Sequence, residues 1–180
     1  MNKRLLHILK EKAYEKKTVT LASGRVSDFY IDVKRVSLMA EGSLLIGQGL
    51  FEIVRTHFQE AKAIGGLTLG ADPLATAASI ASFQAGNPID AFIVRKEAKG
   101  HGLGRLIEGG YGLAAGSPVV VVEDVVTTGA SSLEAARKVQ DFGWKVLGIA
   151  AVVDREEGGR ENIEKAGFTL YSLFRRSDFS

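Results

Sequence analysis

The stretch that decides the fold is Pro118-Val119-Val120-Val121-Val122-Glu123-Asp124-Val125-Val126-Thr127-Thr128-Gly129-Ala130-Ser131-Ser132. Its four consecutive valines form an apolar run without alternation, as expected for a strand buried on both faces of a parallel sheet. Glu123 and Asp124 end this predicted strand, and a turn of small polar residues leads to a helical pattern that starts near Leu133. Ligands bind at the carboxyl ends of strands in open α/β sheets. The stretch therefore predicts an α/β fold with a ligand site directly after the valines.

The same residues indicate the chemistry of the ligand. Glu123 and Asp124 would repel an anion, so we expect them to accept hydrogen bonds from sugar hydroxyls or to meet a metal ion. The turn that follows offers backbone N–H groups and hydroxyls at a helix N-terminus, where a phosphate is favoured. A ligand with hydroxyls close to a phosphate is a ribose 5-phosphate. The alternative is a strand, an acidic turn and an N-capped helix that bind nothing.

Residues 123–131 resemble the phosphoribosyl diphosphate (PRPP) signature of the type I phosphoribosyltransferases. Within that superfamily, residues 18–174 resemble the orotate phosphoribosyltransferases. The resemblance implies one domain over residues 1–180, built as a central parallel sheet flanked by helices, with a small N-terminal hood mainly from residues 18–36. It also implies a homodimer that shares its active sites.

A basic segment follows the predicted strand at residues 91–94. Arg95, Lys96, Lys99 and His101 fall within seven residues and lead into alternating glycines, a pattern typical of a solvated loop. Their order matches the catalytic loop of the orotate phosphoribosyltransferases. That match implies Lys96, Lys99 and His101 as catalytic residues. Family members often have an acid before the histidine, where this chain has Gly100.

Arg155 follows another predicted strand, at residues 145–153. Orotate carries a carboxylate and carbonyls, which a guanidinium fork fits well. The orotate-binding arginine of the family has the same Asp-Arg context, so the resemblance implies that Arg155 and Thr127 bind orotate. The alternative is an arginine that pairs with a neighbouring acid in the loop.

The resemblance also implies how PRPP and its metal are bound. Mg²⁺ is the implied cofactor, held mainly through PRPP, with Asp124 as the candidate ligand from the protein. The implied PRPP-binding residues are Arg95, Lys96, Lys99, His101, Glu123, Asp124, Val125, Val126, Thr127, Thr128, Gly129, Ala130 and Ser131.

Hydrophobic periodicity predicts the remaining elements. They are an N-terminal helix from about Leu5, a hood hairpin of strands 18–21 and 29–33, a helix over 41–58, a strand over 61–66, a helix capped by Asp72 with Pro73 at its first position, a helix over 161–166 and an edge strand over 168–174.

The resemblance places a diphosphate-binding loop at residues 65–72 and the hood over the base. The family often carries a lysine beside the Ser23-Gly24 turn, where this chain has Ala22. Arg25 or Lys34 are candidates to replace that lysine, although neither is at the matching position.

Composition excludes several classes of protein. The chain has 180 residues, 46% of them hydrophobic and 24% charged, which is ordinary for a globular domain. A net charge of +2 gives no warrant for nucleic-acid binding. The chain has no cysteine for a disulfide or a thiolate nucleophile, and its longest apolar run, residues 146–153, is far shorter than a membrane span. We therefore expect a cytoplasmic enzyme with neither nucleic-acid nor membrane partners.

Together with the resemblance, these residues predict transfer of ribose 5-phosphate from PRPP to orotate, giving orotidine 5′-monophosphate and diphosphate in pyrimidine biosynthesis. The basic segment and Mg²⁺ would stabilise the negative charge that grows on the leaving diphosphate. Two alternatives are a phosphoribosyltransferase for another base and a regulator that senses PRPP without chemistry.

Overall fold

The computed structural model describes residues 2–16, 19–20, 26–27, 29–97 and 106–180. Its helices are α1 (Lys3–Lys12), α2 (Lys34–Ser37), α3 (Ala40–His57), α4 (Ala71–Gln84), α5 (Ala130–Asp141), α6 (Gly159–Lys165) and a final 3₁₀ helix (Arg176–Phe179). Its strands are β1 (Tyr14–Glu15), β2 (Val19–Thr20), β3 (Val26–Ser27), β4 (Tyr30–Ile31), β5 (Ala63–Leu67), β6 (Asp90–Val94), β7 (Ile107–Gly109), β8 (Pro118–Val126), β9 (Lys145–Asp154) and β10 (Leu170–Arg175). No described helix is long and apolar enough to cross a membrane.

The main sheet has six strands in the order β10-β9-β8-β5-β6-β7. Every neighbouring pair is parallel except β6 and β7, which are antiparallel. The α/β prediction is confirmed, and β10 is the edge strand that the sequence predicts. Strand β7 was not predicted, because its three residues are too few to show a period.

The valines of β8 divide the core into two apolar layers. Val120 and Val122 pack with residues of α1, α3 and α4 on one face, whereas Val119 and Val121 pack with residues of α5 and α6 on the other. All four side chains are fully buried. Successive side chains of a strand point to opposite faces, so an unbroken apolar run is what helices on both faces require.

The hood is paired differently from the prediction. Strand β2 pairs antiparallel with β3, and β4 pairs antiparallel with β1. The predicted hairpin between residues 18–21 and 29–33 is therefore wrong. Strand β3 lies closer to β2 in the sequence, and a shorter loop has less entropy to lose on closing.

Three predicted boundaries also move. Strand β8 continues past Glu123 and Asp124, because its ladder with β9 extends to the pair Val126 and Asp154. Helix α5 starts at Ala130 rather than near Leu133. Helix α4 starts at Ala71 with Gly70 as its N-cap, so Asp72 lies in the first turn and is not the cap.

The packing of β5 against β6 requires a glycine at position 65, because Phe92 of β6 occupies the space of a side chain there. A Cβ atom added to Gly65 would lie 2.1 Å from the carbonyl oxygen of Phe92 and 2.5 Å from its ring. We expect Gly65→Ala to lower the free energy of unfolding by about 1–3 kcal/mol through overpacking, as measured by urea denaturation.

The matched control is Gly112→Ala, because a Cβ atom at Gly112 meets nothing within 4 Å. This variant should unfold at nearly the wild-type urea concentration. Equal losses in the two variants would show that steric contact with Phe92 does not decide the residue at this position of β5.

Candidate active site

The carboxyl ends of three strands meet at one edge of the sheet. The backbone N–H of Arg155 donates to the carbonyl of Val126 at 2.9 Å, which joins the ends of β9 and β8. On the other side of β8, a Cβ atom at Gly70 would lie 2.8 Å from a carboxylate oxygen of Asp124. The last four residues of β8 and the segments that follow β5, β8 and β9 are therefore brought together, and most of the predicted site residues lie in them.

The turn between β8 and α5 forms a small polar cavity. Gly129 is the N-cap of α5 and has a φ of 79°, a left-handed conformation that glycine adopts without strain. Helix α6 supports this turn, since the Asn162 side-chain amide donates to the carbonyl of Thr128 at 2.9 Å. The cavity has a volume of about 80 Å³ and is lined by Glu123, Val125, Val126, Thr127, Thr128, Gly129, Ala130, Ser131 and Ser132. Its N–H groups and hydroxyls suit a phosphate.

The two carboxylates before the turn differ in their surroundings. Glu123 is 8% exposed and accepts a hydrogen bond from the Ser132 hydroxyl at 3.2 Å. Burial, and then the neighbouring charge of Asp124, raise the pKa of Glu123 to about 8. Asp124 is half-buried and accepts the Val125 backbone N–H at 2.8 Å. Glu123 therefore favours its neutral form at pH 7, in which it can donate as well as accept a hydrogen bond.

A second turn, after β5, lies against Asp124. Thr68 donates its hydroxyl to Asp72 at 2.7 Å across this turn, and its backbone N–H donates to the carbonyl of Val94 at 2.9 Å. The contact between Gly70 and Asp124 brings the predicted diphosphate-binding loop beside the acidic pair.

The basic segment starts at this edge as well. Arg95 pairs with Glu108 of β7 at 3.2 Å, and Lys96 is exposed. Lys99, Gly100 and His101 lie outside the described residues, as do Ala22, Ser23, Gly24 and Arg25 of the hood.

Arg155 is 6% exposed and is held from two directions. It donates to the carbonyl of Phe29 in the hood at 2.7 Å and pairs with Glu157 at 2.9 Å. Glu157 also lies 3.5 Å from Arg176 of the final 3₁₀ helix. The guanidinium carbon of Arg155 is 5.5 Å from the centre of the Phe29 ring. The ion pair with a neighbouring acid, which was the alternative, is thus present in a position that also faces the hood.

Comparison with known proteins identifies the family. The phosphoribosyl transferase domain family matches residues 53–171. The orotate phosphoribosyltransferase of Aquifex aeolicus is 48% identical over 99% of this chain and 92% of its own length, and that of Mycobacterium avium is 50% identical over 89% and 86%. The chain belongs to the orotate phosphoribosyltransferase family. The crystal structure of the Mycobacterium tuberculosis orotate phosphoribosyltransferase in complex with PRPP is 41% identical, covers 98% of this chain and 96% of its own, and has a TM-score of 0.80.

The structure adds Lys138 to the residues of this phosphoribosyltransferase that bear on the site. Its ammonium group donates to the carbonyls of Arg95 at 3.1 Å and of Lys96 at 2.8 Å, and pairs with Glu134 at 2.7 Å. Helix α5 therefore has the turn after β8 at its N-terminus and holds the start of the basic segment on its side. The sequence gives no sign of this contact, because a lysine four residues after a glutamate on a helix is an ordinary surface pair.

The burial of Glu123 predicts a pH dependence of stability. Its pKa is raised in the folded state from the ordinary value of 4.5 to about 8. The contribution of Glu123 to the free energy of unfolding is therefore greatest below pH 4.5 and is lost as the pH rises through about 8. We expect the wild-type protein to lose stability between pH 5 and pH 8 relative to Glu123→Gln, at up to about 1.4 kcal/mol per pH unit. Urea unfolding at several pH values measures this difference.

Glu161→Gln is the control, because Glu161 is exposed on α6. Its unfolding free energy should follow that of the wild-type protein across the same range. Parallel curves for the wild-type protein and Glu123→Gln would show that Glu123 is ionised in the folded protein already at pH 5.

Proposed function

We propose that this protein transfers ribose 5-phosphate from PRPP to orotate, giving orotidine 5′-monophosphate and diphosphate, as a cytoplasmic step of pyrimidine biosynthesis. The observation that carries the proposal is the convergence of three groups at one sheet edge. They are the turn over residues 127–131 (the phosphate turn), Glu123 with Asp124 (the acidic pair), and the buried Arg155. Each group suits one part of the two substrates. The similarity to orotate phosphoribosyltransferases over nearly the whole chain supports the same reaction.

The ribose 5-phosphate part of PRPP fits the end of β8. The 5′-phosphate would accept N–H and hydroxyl donors of the turn from Thr127 to Ser131. The two ribose hydroxyls would lie against Glu123 and Asp124, which precede the turn by a few residues. A carboxyl group with a raised pKa, such as that of Glu123, can donate to one hydroxyl oxygen while it accepts from another.

The chemical step requires cations at the leaving group. As diphosphate departs, the sugar C1 develops positive charge and the diphosphate oxygens gain negative charge. Arg95, Lys96, Lys99 and His101 would stabilise the leaving group as fixed positive charges and hydrogen-bond donors. Orotate is already an anion, so the reaction does not depend on a strong protein base. Lys138 would act indirectly, by fixing the backbone from which Arg95 and Lys96 project.

The residues at this edge fit a magnesium ion that is held mainly by the substrate. Within the described ranges, no three His, Asp or Glu side chains are grouped in a way that could hold a metal ion. Asp124 offers one carboxylate, one oxygen of which already accepts the Val125 N–H. Mg²⁺ prefers one or two carboxylates together with substrate phosphates, so Asp124 is the candidate protein ligand. When bound, Mg²⁺ would neutralise charge on the diphosphate.

Arg155 is proposed to recognise the orotate carboxylate. It is buried, and its guanidinium is held in place by the hood carbonyl of Phe29. Glu157 balances its charge in the free protein and has a second partner in Arg176, so Glu157 stays paired when Arg155 turns to a ligand. The carboxylate of orotate would replace Glu157 as the partner of Arg155. Uracil has no carboxylate and could not replace it, so Arg155 would favour orotate over uracil.

This proposal predicts substrate choice. The purified protein should consume orotate in the presence of PRPP and Mg²⁺, as followed by orotate absorbance, and should leave uracil unchanged. Arg155→Ala should weaken orotate binding by about 2–5 kcal/mol in calorimetric titration while PRPP binding stays near the wild-type value. The reason is that only orotate presents a carboxylate to Arg155.

Arg55→Ala is the matched control, because Arg55 pairs with Glu52 on the exposed side of α3. It should bind both ligands normally. Equal losses of orotate and PRPP binding in Arg155→Ala would remove Arg155 from the base pocket. Turnover of another base would favour a different phosphoribosyltransferase, and PRPP binding without turnover of any base would favour a regulator.

A second copy of this chain is proposed to complete the site. Leu38, Leu69 and Ile80 line one groove of about 720 Å³ and are 73%, 68% and 56% exposed, and Phe83 lies one turn further along α4 at 76%. Monomers rarely expose contiguous apolar patches of this kind. Lys34 also lines the groove, so a partner seated there would lie beside the PRPP site.

The shared site predicts recovery of activity on subunit exchange. We expect Lys99→Ala and Asp124→Asn to be inactive separately. If each site combines Asp124 of one subunit with Lys99 of the other, every mixed dimer contains one site with both lesions and one with neither. After exchange at equal concentration about half of the dimers are mixed, so activity should recover to about a quarter of wild type.

Native mass spectrometry would establish that mixed dimers have formed. If they form and stay inactive, Lys99 and Asp124 belong to the same subunit and the shared site is wrong. Mixing wild-type protein with either variant should give half of the wild-type activity before and after exchange, which shows that a variant subunit does not inhibit its partner.

A further inference from the structure

Lys34 is the first residue of α2, three positions after the end of the hood strand β4. Its ammonium group lies 2.8 Å from a carboxylate oxygen of Asp32, and its backbone N–H donates to the same oxygen at 3.2 Å. The two contacts fix both ends of the residue. Its side chain nevertheless remains 40% exposed, so the ammonium group is accessible to a ligand.

The Lys34 ammonium group also faces the acidic pair. It lies 3.9 Å from the Asp124 carboxylate oxygen that packs against Gly70. The ammonium group lies close to the carboxylates of both Asp32 and Asp124, which favour its positive charge. A fixed cation is therefore placed where the hood, the end of β8 and the turn after β5 meet.

The connectivity of PRPP indicates which part of the substrate reaches this cation. This step rests on the function proposed above, with the 5′-phosphate at the turn before α5 and the ribose hydroxyls at Glu123 and Asp124. The diphosphate is attached to C1, beside the hydroxyls and away from C5. It must therefore leave the acidic pair on the side opposite to the phosphate turn. That side is the one where Asp124 meets Gly70 and Lys34.

We propose that Lys34 binds the diphosphate of PRPP and thereby determines affinity for the leaving group. The turn after β5, from Thr68 to Gly70, brings backbone and a hydroxyl to the diphosphate but no charge of its own. Lys34 supplies that charge from the hood. In the free protein it offsets the repulsion that Asp124 exerts on an approaching polyanion, and in the complex its ammonium group turns from Asp32 to a diphosphate oxygen.

The test is to titrate Lys34→Met with three probes: Mg²⁺-diphosphate, PRPP and ribose 5-phosphate. Loss of a hydrogen bond to a charged group should weaken diphosphate and PRPP binding about 10- to 100-fold. Ribose 5-phosphate, which has no diphosphate, should bind within about twofold of wild type. Lys34→Arg keeps the charge and should recover most of the affinity for diphosphate.

Lys145→Met is the matched control, because Lys145 is exposed at the amino end of β9, on the opposite edge of the sheet. All three probes should bind it as they bind the wild-type protein. Unchanged diphosphate affinity in Lys34→Met would overturn the proposal. An equal loss for ribose 5-phosphate would also overturn it, because Lys34 would then act only through Asp124 or the hood.

The result separates this proposal from the function on which it rests. A wild-type protein that fails to bind PRPP would overturn the proposed function itself. A wild-type protein that converts orotate, together with a Lys34→Met variant that binds diphosphate normally, would overturn only the role of Lys34. If Lys34→Met does not fold, as judged by its thermal melting, Lys34→Gln and Lys34→Arg decide the question by the same comparison of probes.

Discussion

The parallel pairing of β8 with β5 on one side and β9 on the other is the constraint on which the rest of the structure depends. A strand with neighbours on both edges and helices on both faces has room for polar side chains mainly near its ends. Strand β8 follows that rule, because its polar residues begin at Glu123, after four buried valines. The direction shared by the parallel strands then places the segments after β5, β8 and β9 at the same edge. The position of the site is a consequence of how the core is covered.

The same constraint places two carboxyl groups, those of Glu123 and Asp124, next to each other at a partly buried position, where their ionised forms repel each other. Glu123 and Asp124 stand side by side on a strand that continues for two more residues into the sheet, which keeps water from Glu123. Two features reduce the repulsion between the carboxylates in the folded protein: the pKa of Glu123 is raised, and the Lys34 ammonium group lies near Asp124. In the proposed complex, ribose hydroxyls and a metal-bound diphosphate would supply further partners for these carboxylates. Sites of this kind commonly reduce the stability of the free protein, since their groups are arranged for the complex.

The sequence was sufficient to predict the features that depend on local pattern. The buried valines, the turn after them and the strand before Arg155 each carry their signal within a few residues, and all are present in the structure. The predicted pairing of the hood strands was wrong, because short strands of similar composition have several possible partners and tertiary context decides among them. The end of β8 was misplaced for a related reason. Charged residues usually leave a strand, but here the ladder with β9 continues beyond them.

The contacts that cross between distant elements could not be predicted at all. The bond from Lys138 to the carbonyls of Arg95 and Lys96 joins residues more than forty positions apart, and the bond from Arg155 to Phe29 spans 126. Each involves a backbone carbonyl, which every residue possesses, so side-chain identity gives no signal. The resemblance to a family indicated that Arg155 matters but not that Glu157 and the hood hold it.

Because Lys138 contacts the start of the basic segment, α5 connects that segment to the turn after β8 at a fixed distance. Lys138, which holds the start of the basic segment, lies nine positions after Gly129, and at 1.5 Å per residue this is a rise of about 14 Å along α5. A helix is stiff along its axis, so this distance is set by α5 itself. If the turn binds the 5′-phosphate as proposed, α5 sets the distance from that phosphate to the backbone of Arg95 and Lys96. In the proposed complex, a sugar phosphate with a longer or shorter arm between its phosphate and its ring would place the ring at a different distance from this backbone.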